Sequence, residues 1–371
     1  MPTFASTQVS VTPQTLLTSA TLDEINRALV ATKPGPNQQP GWGSPDDSDS
    51  MLGIPSSTPP ASAPTILPAD GDFPERIFAR FYFWRADTRA FPVVASIVTA
   101  PIVLDDVLDA VDVFISGSPG NYLVLWSTSD GKLASVDPRN PGRAYRALLA
   151  AAKALDDKTT LIANSILSAA STDVFLWLTN QMDLKIPVSG TIHVHGVEGI
   201  SADEGVLKTR RRGSRSGLLR GEVDFQRTSF MSAIAERLPL GPATITLNET
   251  VAKGRIQRIG MKLHADGMFS LAIGKSTFRE VLSPYEQRIR AVHLLAYRYI
   301  PLIHATYAAD ATWRDDTRDR LVARFQLALA TRYQELAEAS PYYADVVAEL
   351  EPASGSETGT PDDADETVAT A

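Results

Sequence analysis

Between Arg76 and Ala86 apolar positions recur with a period of two on both sides of the chain: Ile77, Ala79, Phe81 and Phe83 alternate with Phe78, Arg80, Tyr82 and Trp84. That period predicts a strand, and its two apolar faces place it inside a sheet. Residues 93–100 are predicted as a second strand. Residues 104–114 have apolar positions near helical spacing, which predicts a helix with Asp105, Asp109 and Asp112 along one side. Carboxylates so spaced either gather a hard cation or form a solvated stripe. Strands over 122–127 and 132–136 are expected to pair through the turn Ser129-Asp130-Gly131, because Asp-Gly suits a tight hairpin. A helix follows Asn140, with Pro141 in its first turn and a stripe of Tyr145, Leu148, Ala152 and Leu155. Another starts at Ser171-Thr172-Asp173 and runs through Val174, Phe175, Trp177 and Leu178, apolar enough to be core.

From Val188 the pattern turns to strands, predicted over 191–197, 218–225, 243–247, 255–263 and 268–273, the last two joined at Ala265-Asp266-Gly267. A short helix over 229–238 interrupts them. After Lys275 the period becomes helical. Residues 285–300 carry Ile289, Val292, Ala296 and Tyr299, and Pro301 is expected to kink or end that helix. Residues 314–339 form a longer helix with Leu321, Phe325, Leu329 and Leu336 inward and Asp316 spaced to pair with Arg320. Ser340-Pro341 opens a last short helix.

At the other end, Thr21-Leu22-Asp23-Glu24 has the spacing of a capping box, and Leu22, Ile25 and Leu29 follow at helical intervals. A helix this short must dock, on this protein's own core or in a partner's groove. Twelve of the 25 prolines precede Glu75, which makes residues 34–74 read as a flexible linker. The sequence therefore predicts an α+β fold: mixed, largely antiparallel sheet with a C-terminal helical pair, between disordered N- and C-terminal tails. The expected divisions are a tail over 1–74 with one helix near 21–30, an α/β part over 75–186, a strand-rich basic part with the C-terminal helices over 187–350, and an acidic tail over 351–371. The cut near Pro187 rests on a change of composition, and a single domain over both middle parts is the alternative.

Charge sharpens this picture. The net charge is −8, yet between Gly205 and Lys262 twelve Lys or Arg face four acids. The acidity lies in the ends, with seven acids against two bases in residues 1–74 and six acids with no base in 351–371. Such anionic ends either solubilise the chain or compete with a polyanion for the basic part. Cysteine is absent, which excludes disulfides, thiolate metal sites and cysteine nucleophiles. The first ten residues lack the charged start and apolar core of a signal peptide, and the longest apolar run, 91–104, is too short to cross a bilayer. The expectation is a cytoplasmic protein with no membrane partner.

The candidate site is a polyanion-binding surface, foremost for nucleic-acid backbone, formed by Lys208, Arg210, Arg211, Arg212, Arg215, Arg220, Lys253, Arg255, Arg258 and Lys262. Two enzymatic alternatives stand beside it. His193 and His195 lie on one face of a strand and could ligate a metal given a third ligand. Glu286, His293, Tyr297 and His304 share a helical face bordered by Arg290, an arrangement suited to acid/base work. Gly274-Lys275-Ser276 does not complete a phosphate loop, because six residues rather than four separate Gly267 from Gly274. Asp130 with Lys132 lacks the upstream acid a nuclease metal needs. No motif fixes catalytic residues or calls for a cofactor, and a third alternative is an interaction scaffold recruiting a protein through the helix near 21–30.

Overall fold

The structure is a computed structural model that describes residues 8–35, 37–44, 52, 58–59, 62–86, 106–130, 142–202, 217–218, 228–251, 255–343 and 345. In chain order the elements are β1 (Gln8–Leu17), α1 (Leu22–Val30), β2 (Gly41–Gly43), β3 (Thr65–Leu67), β4 (Arg76–Ala86), β5 (Asp106–Ser118), β6 (Asn121–Asp130), α2 (Arg143–Lys153) and β7 (Thr160–Ile162). Then come α3 (Asp173–Asp183), β8 (Ile192–Ala202), β9 (Gly217–Leu218), α4 (Thr228–Ala235), β10 (Leu240–Val251), β11 (Arg255–Leu263) and β12 (Phe269–Ala272). The chain ends in helices α5 (Pro284–Leu294), α6 (Ile300–Ala309) and α7 (Arg318–Glu338), with π turns at Leu295–Tyr299 and Trp313–Thr317.

The strands make one antiparallel sheet in the order β2-β4-β5-β6-β1-β12-β11-β10-β8-β9, with β3 added to β4 and β7 to β1. The fold is thus α+β, and strands from both sides of Pro187 belong to the same sheet. The sequence-based tail over 1–74 needs correction. β1 lies at the middle of the sheet, paired to β6 on one side and to β12 and β7 on the other, while Trp42 and Phe73 are buried. Pro13 disguises this strand, since proline cannot donate to a ladder. It falls between the β12 pairing, which ends at Val11, and the β7 pairing, which begins at Thr15, where no second partner asks for its N–H.

Residues 104–114 are corrected from helix to strand: β5 runs through them from Asp106. Val107, Val111 and Val113 point to one face and Leu108 and Phe114 to the other, and a strand buried on both faces shows no clean period of two. Asp109 and Asp112 consequently stand on opposite faces, Asp112 held by Arg80 at 2.5 and 3.0 Å, so the cation stripe does not form; Asp105 lies outside the described residues. The hairpin partner of β6 is β5, joined through Gly117 and Gly120, both at positive φ. Ser129 and Asp130 continue β6 beside Val9 and Gln8 instead of turning. The strands expected at 93–100 and 132–136, and most of that at 218–225, fall outside the described residues.

Helices cover the two faces unequally. On one face Val9, Val11, Phe114, Leu125, Val194, Ile245, Leu247, Ile259, Met261 and Leu271 pack against α3 to α7. On the other, α1 and α2 bury Ile77, Phe81, Val113, Val124 and Trp126. These residues belong to β4, β5 and β6 alone. Among the described residues no helix covers that second face over β8, β10, β11 and β12. Helix α1 keeps its capping box, Thr21 N–H donating to Glu24 at 2.8 Å, and docks Leu22, Ile25 and Leu29 on this protein's own core. Its apolar side is therefore not available to the groove of a protein partner.

Of the two outcomes expected at Pro301, a kink or an end, the helix does not end there. A proline inside a helix clashes with the carbonyl four residues before it, here Tyr297. The π turn at Leu295–Tyr299 widens the backbone there, and α6 continues from it.

Candidate polyanion-binding face

Along β10 the alternation Thr244, Thr246, Asn248, Thr250 faces away from Ala243, Ile245, Leu247 and Glu249, which are buried. The first set forms the open face, and the neighbouring strands extend it. Arg258 on β11 is the Cα partner of Asn248, which is in turn partnered by His193 on β8. The Arg258 Nε–H donates to Asn248 Oδ1 at 3.1 Å, aligning the guanidinium across the strands. Lys262, Thr244 and Ser270 are likewise partners in one row, on β11, β10 and β12.

Gly260 sits between these rows, opposite Thr246. The absence of a side chain there leaves room for Lys275, whose Cβ lies 3.5 Å from where a Cβ on Gly260 would stand, with Thr246 Oγ1 at 3.9 Å. Lys275 is delivered by the short turn Ile273–Lys275 that follows β12. Backbone bonds between Arg258 and Thr277 (3.0 and 2.8 Å) and from Gly260 N–H to Ser276 Oγ (3.3 Å) fix that turn against β11. Arg258, Lys262 and Lys275 thus share one face with Thr244, Thr246, Ser270 and Asn248. None of the described side chains that β8, β10, β11 and β12 place on this face is a carboxylate.

Behind the face, the sheet is braced by a buried polar group. Arg298 and the Tyr299 hydroxyl, the latter at 2.7 Å, both donate to the Glu249 carboxylate, and Gln257 Nε2 donates to the Tyr299 oxygen at 2.8 Å. Burial, and after it the Glu249 carboxylate, push the Tyr299 hydroxyl far above the usual phenol range, so it remains a donor. Arg298 also reaches Asp72 at 3.3 Å.

Of the basic residues expected at the site, Arg258 and Lys262 stand on this face. Arg255 is exposed at the end of the β10–β11 hairpin, beside Val251. Lys208, Arg210, Arg211, Arg212, Arg215, Arg220 and Lys253 lie outside the described residues. Ala202 and Gly217 are partners at the sheet edge, and Ala202 faces Leu240 at the start of β10. Arg255 stands at the other end of that strand, about 35 Å away at ~3.3 Å per residue. Lys275 and the β10 hydroxyls join this surface without having been expected there. The Thr-Ile-Thr-Leu-Asn alternation was the signal for the hydroxyls; nothing local in the sequence marks Lys275, which arrives by a long-range pairing.

His193 and His195 are exposed on the same face, and no group of three metal-ligating side chains occurs among the described residues. Glu286 and His293 do not pair. The Glu286 carboxylate closes a second capping box, accepting from Ser283 N–H at 2.8 Å, and these hydrogen bonds hold it below the usual carboxylate range. His293 is 2% exposed and packs against the rings of Phe73, Phe114 and Tyr297. Burial, with Arg76 and Arg290 nearby, pushes its imidazole down to about 3. Burial raises the Tyr297 hydroxyl to about 12, and that oxygen accepts from Ser116 Oγ at 3.1 Å. Burial also lowers the imidazole of His304. A neutral histidine without a carboxylate partner, beside a phenol that holds its proton, is poorly matched to proton transfer near neutral pH.

Among the described residues, no helix is long and apolar enough to cross a membrane. Comparison with protein-family models, with curated proteins and with solved structures finds no match to this chain.

Proposed function

We propose that the open face of β8, β10, β11 and β12 binds the phosphate backbone of a nucleic acid without reading its bases. The reading is carried by one observation: Arg258, Lys262 and Lys275 share a hydroxyl-rich face on which no described carboxylate competes. Lys and Arg with Ser, Thr and Asn side chains are the usual partners of phosphate and sugar oxygens, and such contacts position a strand without specifying sequence. Arg258 and Lys262 are four residues apart on one strand, about 14 Å at ~3.4 Å per residue, which spaces the charges along a track. Among its described side chains this face carries no Phe, Tyr or Trp, and the imidazoles of His193 and His195 are its rings, so the reading rests on phosphate contacts and not on an aromatic platform.

Fluorescence anisotropy with labelled single-stranded and duplex oligonucleotides tests this. Replacing Arg258, Lys262 and Lys275 together by Ala should weaken binding. It should also flatten the dependence of log affinity on log salt by about 2–3, at roughly 0.7–0.9 for each phosphate no longer neutralised. Arg324→Ala, on α7 behind the sheet, should change neither. Wild-type affinity and salt slope in the triple variant would remove the proposal.

A further inference from the structure

On the opposite side of the sheet from the cationic face, a second group of donors collects around one aromatic ring. Phe73, 4% exposed, lies at the centre. The Arg76 guanidinium carbon is 5.6 Å and that of Arg290 4.7 Å from its centroid, while the rings of His293 and Tyr297 are at 5.5 and 6.4 Å. Four separate stretches build the group: β4 supplies Arg76, β5 supplies Ser116, the segment before β4 supplies Phe73, and α5 with its π turn supplies Arg290, His293 and Tyr297.

These groups offer more protons than they have acceptors for. Arg76 is 6% exposed; its guanidinium donates to the carbonyls of Pro74 at 2.9 Å and Pro68 at 3.5 Å and feels the Asp70 carboxylate, while its Nε has no hydrogen-bond partner. His293 Nε2 is also buried and unpartnered. The Tyr297 oxygen accepts from Ser116 and keeps its own proton to give. Arg290 reaches one carboxylate, Glu280, only at 3.8 Å. A buried N–H left without an acceptor, as at Arg76 Nε and His293 Nε2, is costly, so native proteins usually supply one.

We propose that this cluster is a binding site for a small oxyanion, a phosphate or carboxylate group held by Arg76 and Arg290 and capped by His293 and Tyr297. Arg76 provides the buried, preoriented donor, and Arg290, a third exposed, provides the way in. The four donors match an acceptor-only ligand with several lone pairs. An apolar ligand would leave them unsatisfied, and a cation would be repelled by the two guanidinium groups. Histidine contributes as a neutral donor, through the tautomer that carries its proton on Nε2.

The test uses the full chain with 15N-labelled histidine. Imidazole signals are followed during separate titrations with inorganic phosphate, with acetate and with sodium chloride at matched ionic strength, and His293→Phe assigns the resonance. Saturable movement of the His293 signals with phosphate or acetate, absent with chloride, is the expected result, and the stronger arm names the anion. The bound anion should also raise the His293 pKa by offsetting the push from Arg76 and Arg290. Arg290→Gln should weaken binding by about tenfold or more, through removal of one charge-assisted hydrogen bond, with an unchanged far-UV spectrum. No saturable change with either anion, as when water alone fills the cluster, would overturn the proposal, and so would unaltered binding in Arg290→Gln.

Discussion

The buried residues of this protein tie stability to particular protons. His293 is neutral in the folded state because its environment holds its pKa at about 3, against an ordinary 6.5. The unfolded chain takes up that proton as the pH falls through 6.5 while the folded chain refuses it. The stability this histidine contributes is therefore complete above about pH 6.5 and is lost progressively toward pH 3, by at most ~1.4 kcal/mol per pH unit. Urea unfolding of the wild type and of His293→Phe in anion-free buffer should diverge as the pH is lowered through that window, the wild type losing stability the faster, and parallel curves would contradict it. Tyr299 makes a second case. Its hydroxyl joins Gln257 to Glu249, so Tyr299→Phe leaves a buried carboxylate short of one donor and should cost about 1–3 kcal/mol. Denaturant midpoints measure that change, and a variant as stable as the wild type would show the bond to be dispensable. Neither effect was legible in the sequence, where His293 and Tyr297 stand as candidate chemistry on a helix face. The rings and guanidinium groups that neutralise His293 include Phe73, Arg76 and Phe114, far away along the chain.

Elements whose apolar residues keep one clear local pattern are legible in the sequence, and those whose pattern is mixed or interrupted are not. Helices α1, α3 and α4 and strands β4, β11 and β12 lie where local pattern puts them, and the Asp316–Arg320 pair forms at 2.6 Å. The turn before β12 is as expected too, because Gly267, at φ +85°, passes so near the Leu167 backbone that a Cβ there would stand 2.7 Å from it. β5 escapes local reading because valines and aspartates on its two faces mimic a helical spacing. The candidate face is half legible: Arg258 and Lys262 follow from the strand, but the hydroxyl and amide groups around them follow from β10 and β12 lying alongside. For α1, docking on the body has a direct consequence. Ile25 is 1% exposed within the core that α1 and α2 share, so Ile25→Ala should cost about 2–5 kcal/mol through reduced burial and an unfilled cavity. A change of less than about 0.5 kcal/mol in urea unfolding, the size typical of surface substitutions, would mean the helix contributes little to the fold.

At the scale of the whole molecule, β1 decides whether there is one body or two. Among the described residues the hydrogen-bonded ladder joins the sheet's first half, β2 to β6, to its second half, β8 to β12, through this strand, which pairs with β6 over Gln8 to Leu16 and with β12 over Gln8 to Val11, while Phe114 and Leu125 share the core under α3 to α7 with the second half. Val9 and Val11 lie in the core covered by α3 to α7, and Leu16 in the core covered by α1 and α2, so one ten-residue segment seals both layers. Removing it exposes the ladder edges of β6 and β12 together, and unpaired edges invite pairing with other chains. A chain lacking residues 1–17 should accordingly lose its single cooperative unfolding transition and form larger species by light scattering. A peptide spanning 8–17 added in excess should restore both properties by strand addition. The same truncation should weaken oligonucleotide binding, because β12, which places Ser270 beside Lys262 and leads into the turn that delivers Lys275, loses its β1 partner. A truncated chain that stays monomeric, unfolds in one step and binds as before would show that the second half folds alone and that β1 is an accessory to it.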